Sequence, residues 1–276
     1  PRGNSSRAFG SLAGTWLSKR RILPCLLPLI LFICWNLATS SGLAPEYLLP
    51  SPRTVWETVC AYMGAVSEGY ADAYAGRFWG DLSASLGRVG SGYLLAVIPG
   101  VALGLASGRS PALASLLSPI INGVRAVPGI SWLPLALLWL GIGFRATVFL
   151  IALAGFFPAY LNAAAGAASV PPVLIRAGRM LGFGRRAIFF RVVIPSAMPQ
   201  VRTGLRVALG MSFSYLVLGE LTGVPDGLGA MIMDARLAGR VDLLVSGIIL
   251  IALVGWLCDV LLMRALSAVS VSLRRQ

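Results

Sequence analysis

Histidine is absent from this sequence, lysine occurs once, at Lys19, and charged residues make up only 12% of the 276 positions. A soluble domain averages about 25% charged residues, so the charge content is that of another class of protein. Without histidine, histidine-based metal sites and Ser-His-Asp catalysis are excluded, and no metal site is predicted. Lys19 lies in TWLSKRR, which lacks the Gly-Lys-Ser/Thr step of a phosphate-binding loop. The chain therefore cannot hydrolyse ATP by that route.

Cysteine and acidic residues are also few. Three of the four cysteines lie in apolar runs and none forms a paired motif, so no disulfide framework is predicted. Ten acidic residues against 23 lysines and arginines give a net charge of +13. However, 57% of the residues are hydrophobic and the mean hydropathy is +0.81. This composition favours a membrane protein over a nucleic-acid-binding protein.

Six apolar runs follow one another along the chain. A membrane-spanning helix needs about 20 apolar residues, and the runs lie at about 22–43, 83–107, 126–142, 146–164, 203–221 and 243–262. We therefore predict an all-α membrane protein, a polytopic bundle of about six transmembrane helices over 22–276, after a basic amino-terminal segment at 1–21. No obvious small-residue cleavage site follows the first run, so we expect it to be retained as a span.

The charges segregate between the two sides of such a bundle. The amino terminus, the second and fourth connections and the carboxyl terminus carry basic residues and no acid, whereas the opposite side receives eight of the ten acids. The positive-inside rule assigns the basic side to the cytoplasm. Both termini are therefore predicted to be cytoplasmic. The acids on the other side are Glu46, Glu57, Glu68, Asp72, Asp81, Asp226, Asp234 and Asp242.

The fourth connection contains the segment LIRAGRMLGFGRRAIFFRVVIPSAMP, at 174–199, with five arginines and no acid. The prolines at 171–172 suit the first turn of a helix, and the glycines in 182–184 should end it before a second amphipathic helix. Pro195 and Pro199 are expected to precede the fifth span. Two interpretations fit these residues: a helical segment that enters a cleft of a partner protein, or a surface helix that binds anionic lipid headgroups.

The order of residues in this segment resembles the EAA signature of permease subunits in binding-protein-dependent ABC importers. That signature reads Glu-Ala-Ala, a glycine four residues on, a basic amphipathic stretch and Leu-Pro; here it reads Arg176-Ala177-Gly178, Gly182 and Ile194-Pro195. Four further blocks resemble the taurine, aliphatic-sulfonate and nitrate branch of these permeases. They are LLPSPRTVWETV from Leu48, WLPLALLWLGIG from Trp132, TGLRVALG from Thr203 and GLGAMIMDAR from Gly227.

The resemblance, which extends from about Leu48 to the carboxyl end, implies a permease subunit of an ATP-driven importer in the bacterial inner membrane. Its solute would be small and anionic or zwitterionic: taurine or another organosulfonate, or nitrate. The implied partners are two ABC ATPase subunits holding ATP and Mg, a second permease copy, membrane lipids and a periplasmic or lipid-anchored solute-binding protein. The chain would be a transport subunit rather than an enzyme, with no cofactor of its own.

The resemblance further implies that the 171–199 loop is the coupling helix that contacts the ATPase. The coupling residues would be Arg176, Ala177, Gly178, Leu181, Gly182, Arg185, Arg186 and Pro195. One position departs from the signature, because Arg176 stands where the family has an acid that faces a basic residue of the ATPase. Either the cognate ATPase carries a compensating change, or the contact is made by Gly178, Gly182 and neighbouring backbone.

The translocation path is expected along the third and fifth spans. Aromatic and methionine side chains can close a gate, and serine hydroxyls can contact a passing solute, although each is also common in ordinary packing. The candidates are Ser131, Trp132, Met211, Ser212, Ser214, Tyr215 and Glu220. Arg125 suits either attraction of an anion or a membrane anchor.

The remaining charged residues of the spans have simpler interpretations. Arg88 and Arg206 lie near span ends and are expected to reach the membrane interface, while Asp259 is expected to pair with Arg264. The outer segments at 44–82 and 223–242 are either docking sites for the binding protein or solvated connectors. An ion-coupled secondary transporter is the alternative function, and it would need more mid-membrane ionisable groups than Glu220 and Asp259. An intramembrane enzyme would need a catalytic constellation that the sequence lacks.

Overall fold

The computed structural model describes residues 26–42, 45–64 and 73–274, with side chains to 268. The basic segment 1–21, with Glu68 and Asp72, lies outside the described residues. Within the described ranges every regular element is helical, which confirms the predicted all-α class.

Eleven helices follow one another in the described part of the chain. Three of them, α3, α6 and α11, are long and apolar enough to cross a membrane, and α4 with α5 forms a bent pair that meets the same test. The chain is therefore a multi-pass membrane protein. The helices are α1 (Leu26–Ser40), α2 (Pro52–Tyr62), α3 (Phe78–Arg109), α4 (Pro111–Ala126), α5 (Leu133–Leu140), α6 (Phe144–Ala168), α7 (Pro172–Met180), α8 (Arg185–Ile188), α9 (Ile194–Glu220), α10 (Leu228–Leu237) and α11 (Val241–Arg274).

The third predicted span is the element that differs most from expectation. Instead of one helix over 126–142, the structure has α4, a 3-10 turn (Gly129–Trp132) and α5, with a bend of 87°. Ser110 begins α4 by accepting a hydrogen bond from the Leu113 N–H at 3.3 Å. Pro128 lacks an N–H and has an extended ψ of 130°, so it ends the helix. The prediction of one continuous span was therefore wrong, and the α4 helix was not predicted.

The helix at the predicted fifth span is longer than the apolar run that predicted it. Helical structure continues without a break from α8 through a π-helical turn (Phe189–Val193) into α9. Pro195 and Pro199 thus lie inside α9 rather than before it. Pro195 is accommodated because it stands in the first turn, directly after the π turn in which the Ile194 N–H bonds the Phe189 carbonyl.

Glycines bring α6 into close contact with α3 on one side and α9 on the other. A Cβ added to Gly104 of α3 would lie 2.8 Å from the Ala163 Cβ, and one added to Gly204 of α9 would lie 2.6 Å from the Asn162 Cβ. Such distances leave no room for any side chain, so the helix backbones approach each other directly. Gly92, Gly100 and Gly108 of α3 and Gly219 of α9 make similar contacts with α6.

Two apolar clusters close the ends of this three-helix unit. At the α7 end, Ile175 and Ile188 pack with Leu105, Ala163 and Ala167 at the ends of α3 and α6. At the α10 end, the cluster joins α2, α3, α10 and α11 through Tyr62, Phe78, Leu228, Met231 and Leu243. The α10 helix is therefore enclosed by the bundle rather than lying loosely on its surface.

Candidate functional sites

The α7 helix ends in a glycine cap that reverses the chain. Gly182 has φ +78°, its N–H bonds the Arg179 carbonyl at 3.0 Å, and the Phe183 N–H bonds the Gly178 carbonyl at 3.0 Å. These two bonds define a Schellman motif, in which the left-handed position favours glycine. The helix break predicted at 182–184 is present, and the following α8 packs back against α7.

The two faces of α7 differ in burial. Ile175 and Gly178 face the apolar cluster, whereas seven of the eight predicted coupling residues are exposed: Arg176, Ala177, Leu181, Gly182, Arg185, Arg186 and Pro195. The eighth, Gly178, is buried against Phe183 and Ile188 at ordinary contact distances. Gly178 therefore lies on the inner face of α7, where a Cβ would also fit.

A basic surface is formed by Arg176, Arg179, Met180, Leu181, Arg185 and Arg186. The Met180 side chain is 88% exposed and that of Leu181 is 73% exposed. None of the four arginines forms an ion pair or hydrogen bond with another described residue. Exposed apolar side chains among unpaired cationic groups are typical of a surface that binds a partner.

A cavity of about 430 Å³ lies between the α4–α5 bend and the helices α6 and α9. Three of the predicted path residues line it together: Trp132 at the bend, and Met211 and Tyr215 on α9. Arg125, Phe157 and Asn162 also line this cavity. The structure therefore brings together residues that are up to 90 positions apart in sequence.

The predicted serines lie elsewhere. Ser212 is fully buried and donates to the Ala208 carbonyl at 2.8 Å, and Ser214 is exposed and donates to the Gly210 carbonyl at 3.3 Å. Ser131 is exposed at the bend but outside the cavity lining. The hydroxyls of Ser212 and Ser214 thus donate their hydrogen bonds to backbone carbonyls of their own helix, α9.

Tyr215 packs directly on Gly129. A Cβ added to Gly129 would lie 2.6 Å from Tyr215 Cε1, and it would collide with the hydroxyl as well. Only glycine fits at this contact, which holds the bend of the α4–α5 pair against α9. Sequence reasoning identified Tyr215 but missed Gly129, although the Pro-Gly step in AVPGISW is the signal that could have indicated it.

Glu220 lies in a buried polar cluster away from the cavity. Its carboxylate accepts hydrogen bonds from Ser85 Oγ at 2.8 Å, from Arg88 Nη1 at 2.7 Å and from the Gly229 N–H at 2.8 Å. The second Nη of Arg88 bonds the Asp226 carboxylate. Arg88 is only 4% exposed, so the expectation that it reaches the membrane interface was wrong. Both charges are instead paired within the bundle, as burial requires.

The same cluster fixes the start of α10. Side chains of α3 accept hydrogen bonds from the N–H groups at its start: Asp81 from Gly227, the residue before α10, at 3.0 Å, and Ser85 from Leu228 at 2.9 Å. Tyr62 of α2 donates to the other Asp81 oxygen at 2.7 Å. Burial and the Asp81 carboxylate raise the pKa of Tyr62 above its ordinary value, so the hydroxyl stays protonated as a donor.

Asp259 pairs with Arg206 rather than with Arg264. Arg206 donates through Nε at 2.9 Å and through Nη2 at 2.8 Å, which makes a two-pronged pair between α9 and α11. Arg264 lies five residues after Asp259 on the same helix, a spacing that places the two side chains on different faces. The expected pair was therefore wrong for a geometric reason.

Membrane-spanning helices, a bent helix pair, a cavity among the spans and an exposed basic helix at one end define a membrane transport subunit. The chain belongs to the family described as "Binding-protein-dependent transport system inner membrane component", whose family model matches residues 100–275.

Several named permeases are similar to this chain over most of its length. The taurine transport system permease protein TauC of Escherichia coli is 38% identical, over 84% of this chain and 82% of TauC. The bicarbonate transport system permease protein CmpB of Synechocystis is 32% identical, over 94% of this chain and 92% of CmpB. The nitrate import permease protein NrtB of Leptolyngbya laminosa is 30% identical, over 94% and 91%.

Solved structures share the fold. A chain of the MetNI methionine ABC transporter, in an inward-facing crystal form, matches with a TM-score of 0.60 at 19% identity, over 70% of this chain and 96% of that chain. A chain of an amino acid ABC transporter matches with a TM-score of 0.52 at 20% identity, over 72% and 94%.

Proposed function

We propose that the chain is the permease subunit of an ATP-driven importer for a small anionic or zwitterionic solute, taurine or another organosulfonate, with nitrate as a second possibility. The family match over residues 100–275 carries this proposal, together with the 38% identity to a taurine permease. The nitrate and bicarbonate relatives are named for oxyanions as well, which supports the class of solute more strongly than any one solute.

In this proposal, ATP and Mg bind to two copies of a separate ATPase, and the basic surface on α7 and α8 is where each ATPase docks. The exposure of Met180 and Leu181 supports docking, because their apolar side chains would be covered by a partner. The buried Ile175 and Ile188 join the same segment to the ends of α3 and α6, so force on α7 would reach the spans.

Arg176 sets the charge of the proposed contact. A carboxylate on the ATPase would complement it, whereas the basic residue expected in other members would repel it. We therefore expect the cognate ATPase to carry an acidic or neutral residue opposite Arg176.

The assembled importer would contain a second permease copy, most simply a homodimer, in the inner membrane with both termini in the cytoplasm. The α10 end of the bundle would then face outward, where the binding protein would dock on the 44–82 and 223–242 segments. The cavity lined by Trp132, Met211 and Tyr215 would form part of the translocation path.

The test is reconstitution in lipid vesicles with the candidate ATPase and binding protein, measuring ATP turnover with and without taurine. Leu181→Asp should abolish ATPase binding and stimulated turnover, because it places a charge in the proposed apolar contact. Phe144→Asp is the matched control, since Phe144 is 50% exposed at the start of α6, at the other end of the bundle and outside both proposed docking segments. Stimulated turnover that survives Leu181→Asp would contradict the docking assignment.

A further inference from the structure

The cavity between the α4–α5 bend and α9 carries one charge. Among the described residues that line it, Arg125 is the only ionisable side chain apart from the Tyr215 phenol, and no carboxylate is present. Arg125 makes no ion pair or hydrogen bond with any described residue. The cavity is therefore electrostatically positive, with nothing in the described structure to neutralise it.

Arg125 is an exposed residue in the last turn of α4, directly before the bend. It lies fourteen residues after Pro111, about 21 Å along α4 at 1.5 Å per residue. On α9, the lining residues run from Val207 to Tyr215, well inside the limits of a helix that begins at Ile194 and ends at Glu220. Because the Arg125 side chain is exposed and unpaired among the described residues, its charge is available to attract an anion to the cavity wall.

The polar groups beside Arg125 are mainly donors. The indole N–H of Trp132 and the hydroxyl of Tyr215 line the same cavity, and neither has a hydrogen-bond partner among the described residues. Asn162 uses its Nδ2 on the Pro158 carbonyl at 2.9 Å, which leaves its carbonyl oxygen as an acceptor. A guanidinium with two further donors suits an oxyanion, and one acceptor suits an ammonium at the other end of a zwitterion.

We propose that this cavity is an oxyanion-selecting site within the permease itself, in which Arg125 attracts a sulfonate-sized anion and Tyr215 and Trp132 donate hydrogen bonds to it. The proposal deepens the function proposed above and rests on it. Selection would then occur twice, in the separate binding protein and again in the membrane.

The test uses thiol-reactive probes of opposite charge on the full-length chain. Cys25, Cys34, Cys60 and Cys258 are replaced by serine, and Met211→Cys places one thiol on the cavity wall. The anionic 2-sulfonatoethyl methanethiosulfonate should react faster, relative to the cationic trimethylammonium-ethyl methanethiosulfonate, than the two reagents do with free cysteine. Arg125→Gln should lower that rate ratio on the order of tenfold, as expected for removal of one nearby charge.

Two control variants test whether the change in rate ratio comes from the charge of Arg125. Arg125→Lys keeps the charge and should keep most of the rate ratio. Arg145→Gln removes an exposed arginine that does not line the cavity, and it should leave the ratio unchanged. An equal effect of Arg125→Gln and Arg145→Gln, no effect of either, or failure of both reagents to reach position 211 would overturn the proposal.

A transport measurement separates this inference from the proposed function. In the reconstituted importer, Arg125→Gln should lower the maximal rate of taurine import at least fivefold while the solute concentration for half-maximal rate, set by the binding protein, changes little. If the wild-type chain imports nothing but the probe ratio still depends on Arg125, the importer proposal fails and the anion site stands. If import is normal in Arg125→Gln, the anion site fails and the importer stands.

Discussion

Arg88 of α3 and Glu220 of α9 are joined by a hydrogen bond of 2.7 Å, and both side chains are buried, at 5% and 0% exposure. The pair is completed by Ser85 and by the backbone of α10 and its preceding loop. It therefore links three helices at one point near the α10 end of the bundle. Neither residue lines the cavity.

Removal of one member of this pair should be more harmful than removal of both. Arg88→Met leaves the Glu220 carboxylate buried without its counter-ion, and we expect a loss of about 3–5 kcal/mol in unfolding free energy. The double variant Arg88→Met/Glu220→Met should recover part of that loss, because the buried Glu220 charge is gone and the Asp226 carboxylate left behind is half-exposed. Denaturant unfolding in detergent measures both. Glu57→Gln is the control, since the Arg53–Glu57 pair is largely exposed and should contribute little.

Gly182 and Gly184 should respond differently to the same substitution. Gly182 has φ +78°, so Gly182→Ala forces a left-handed conformation that costs about 1–2 kcal/mol and weakens the end of α7. Gly184 has φ −69° and open space around its Cα, so Gly184→Ala should be tolerated. Thermal unfolding and ATPase binding are compared for the two variants. Equal loss in both would show that the cap geometry does not matter.

The contact between α3 and α6 predicts that alanine substitutions at two glycines of α3, Gly104 and Gly90, should have different effects on stability. Gly104→Ala places a methyl group 2.8 Å from the Ala163 Cβ and should lower the unfolding free energy by about 1–3 kcal/mol through overpacking. Gly90 of the same helix has nothing within 4 Å of an added Cβ, so Gly90→Ala should leave stability unchanged or raise it slightly. Thermal unfolding in detergent measures the difference. A similar midpoint for both variants would contradict the close approach of the helices.

Replacement of Gly129 by alanine should impair solute import, because Tyr215 occupies the space that the new side chain needs. The added methyl group displaces the Tyr215 ring from its contact, so Gly129→Ala should reduce solute import by an order of magnitude or more. Tyr215→Ser alone removes a cavity donor and should also reduce import. In the double variant Gly129→Ala/Tyr215→Ser, however, the methyl group has room, and import should equal that of Tyr215→Ser alone. An additive loss in the double variant would show that Gly129 acts through another contact.

Much of the fold follows from local features of the sequence. Apolar runs coincide with the three described helices that are long and apolar enough to cross a membrane, α3, α6 and α11, and also with α1 and α9. Glycine chemistry located the end of α7. The third span failed because Pro128 breaks a run whose composition is otherwise that of a membrane helix. The α4 helix was missed because Ser115, Ser118, Pro119 and Asn122 dilute its hydrophobicity, although Ser110 and Pro111 form a recognisable start signal.

The candidate sites were only partly predictable, because their partners are distant in sequence. The α7 segment is local, and its exposed and buried faces follow from its own periodicity. The Arg88–Glu220 pair joins positions 132 residues apart, and the Gly129–Tyr215 contact joins positions across two helices. A single sequence contains each residue but not the packing that selects its partner.

The close approach of α3, α6 and α9 has a consequence for how the cavity changes shape. Helices in backbone contact cannot slide past one another without losing that contact, so these three move as one unit, and α6 and α9 form its cavity wall. The opposite wall is the bent α4–α5 pair, in which α4 has Ile121 as its one buried side chain. We therefore expect the cavity to open by a hinge motion of α4 about residues 126–132. The helices α3, α6 and α9, which contact α7, should tilt together as a rigid body.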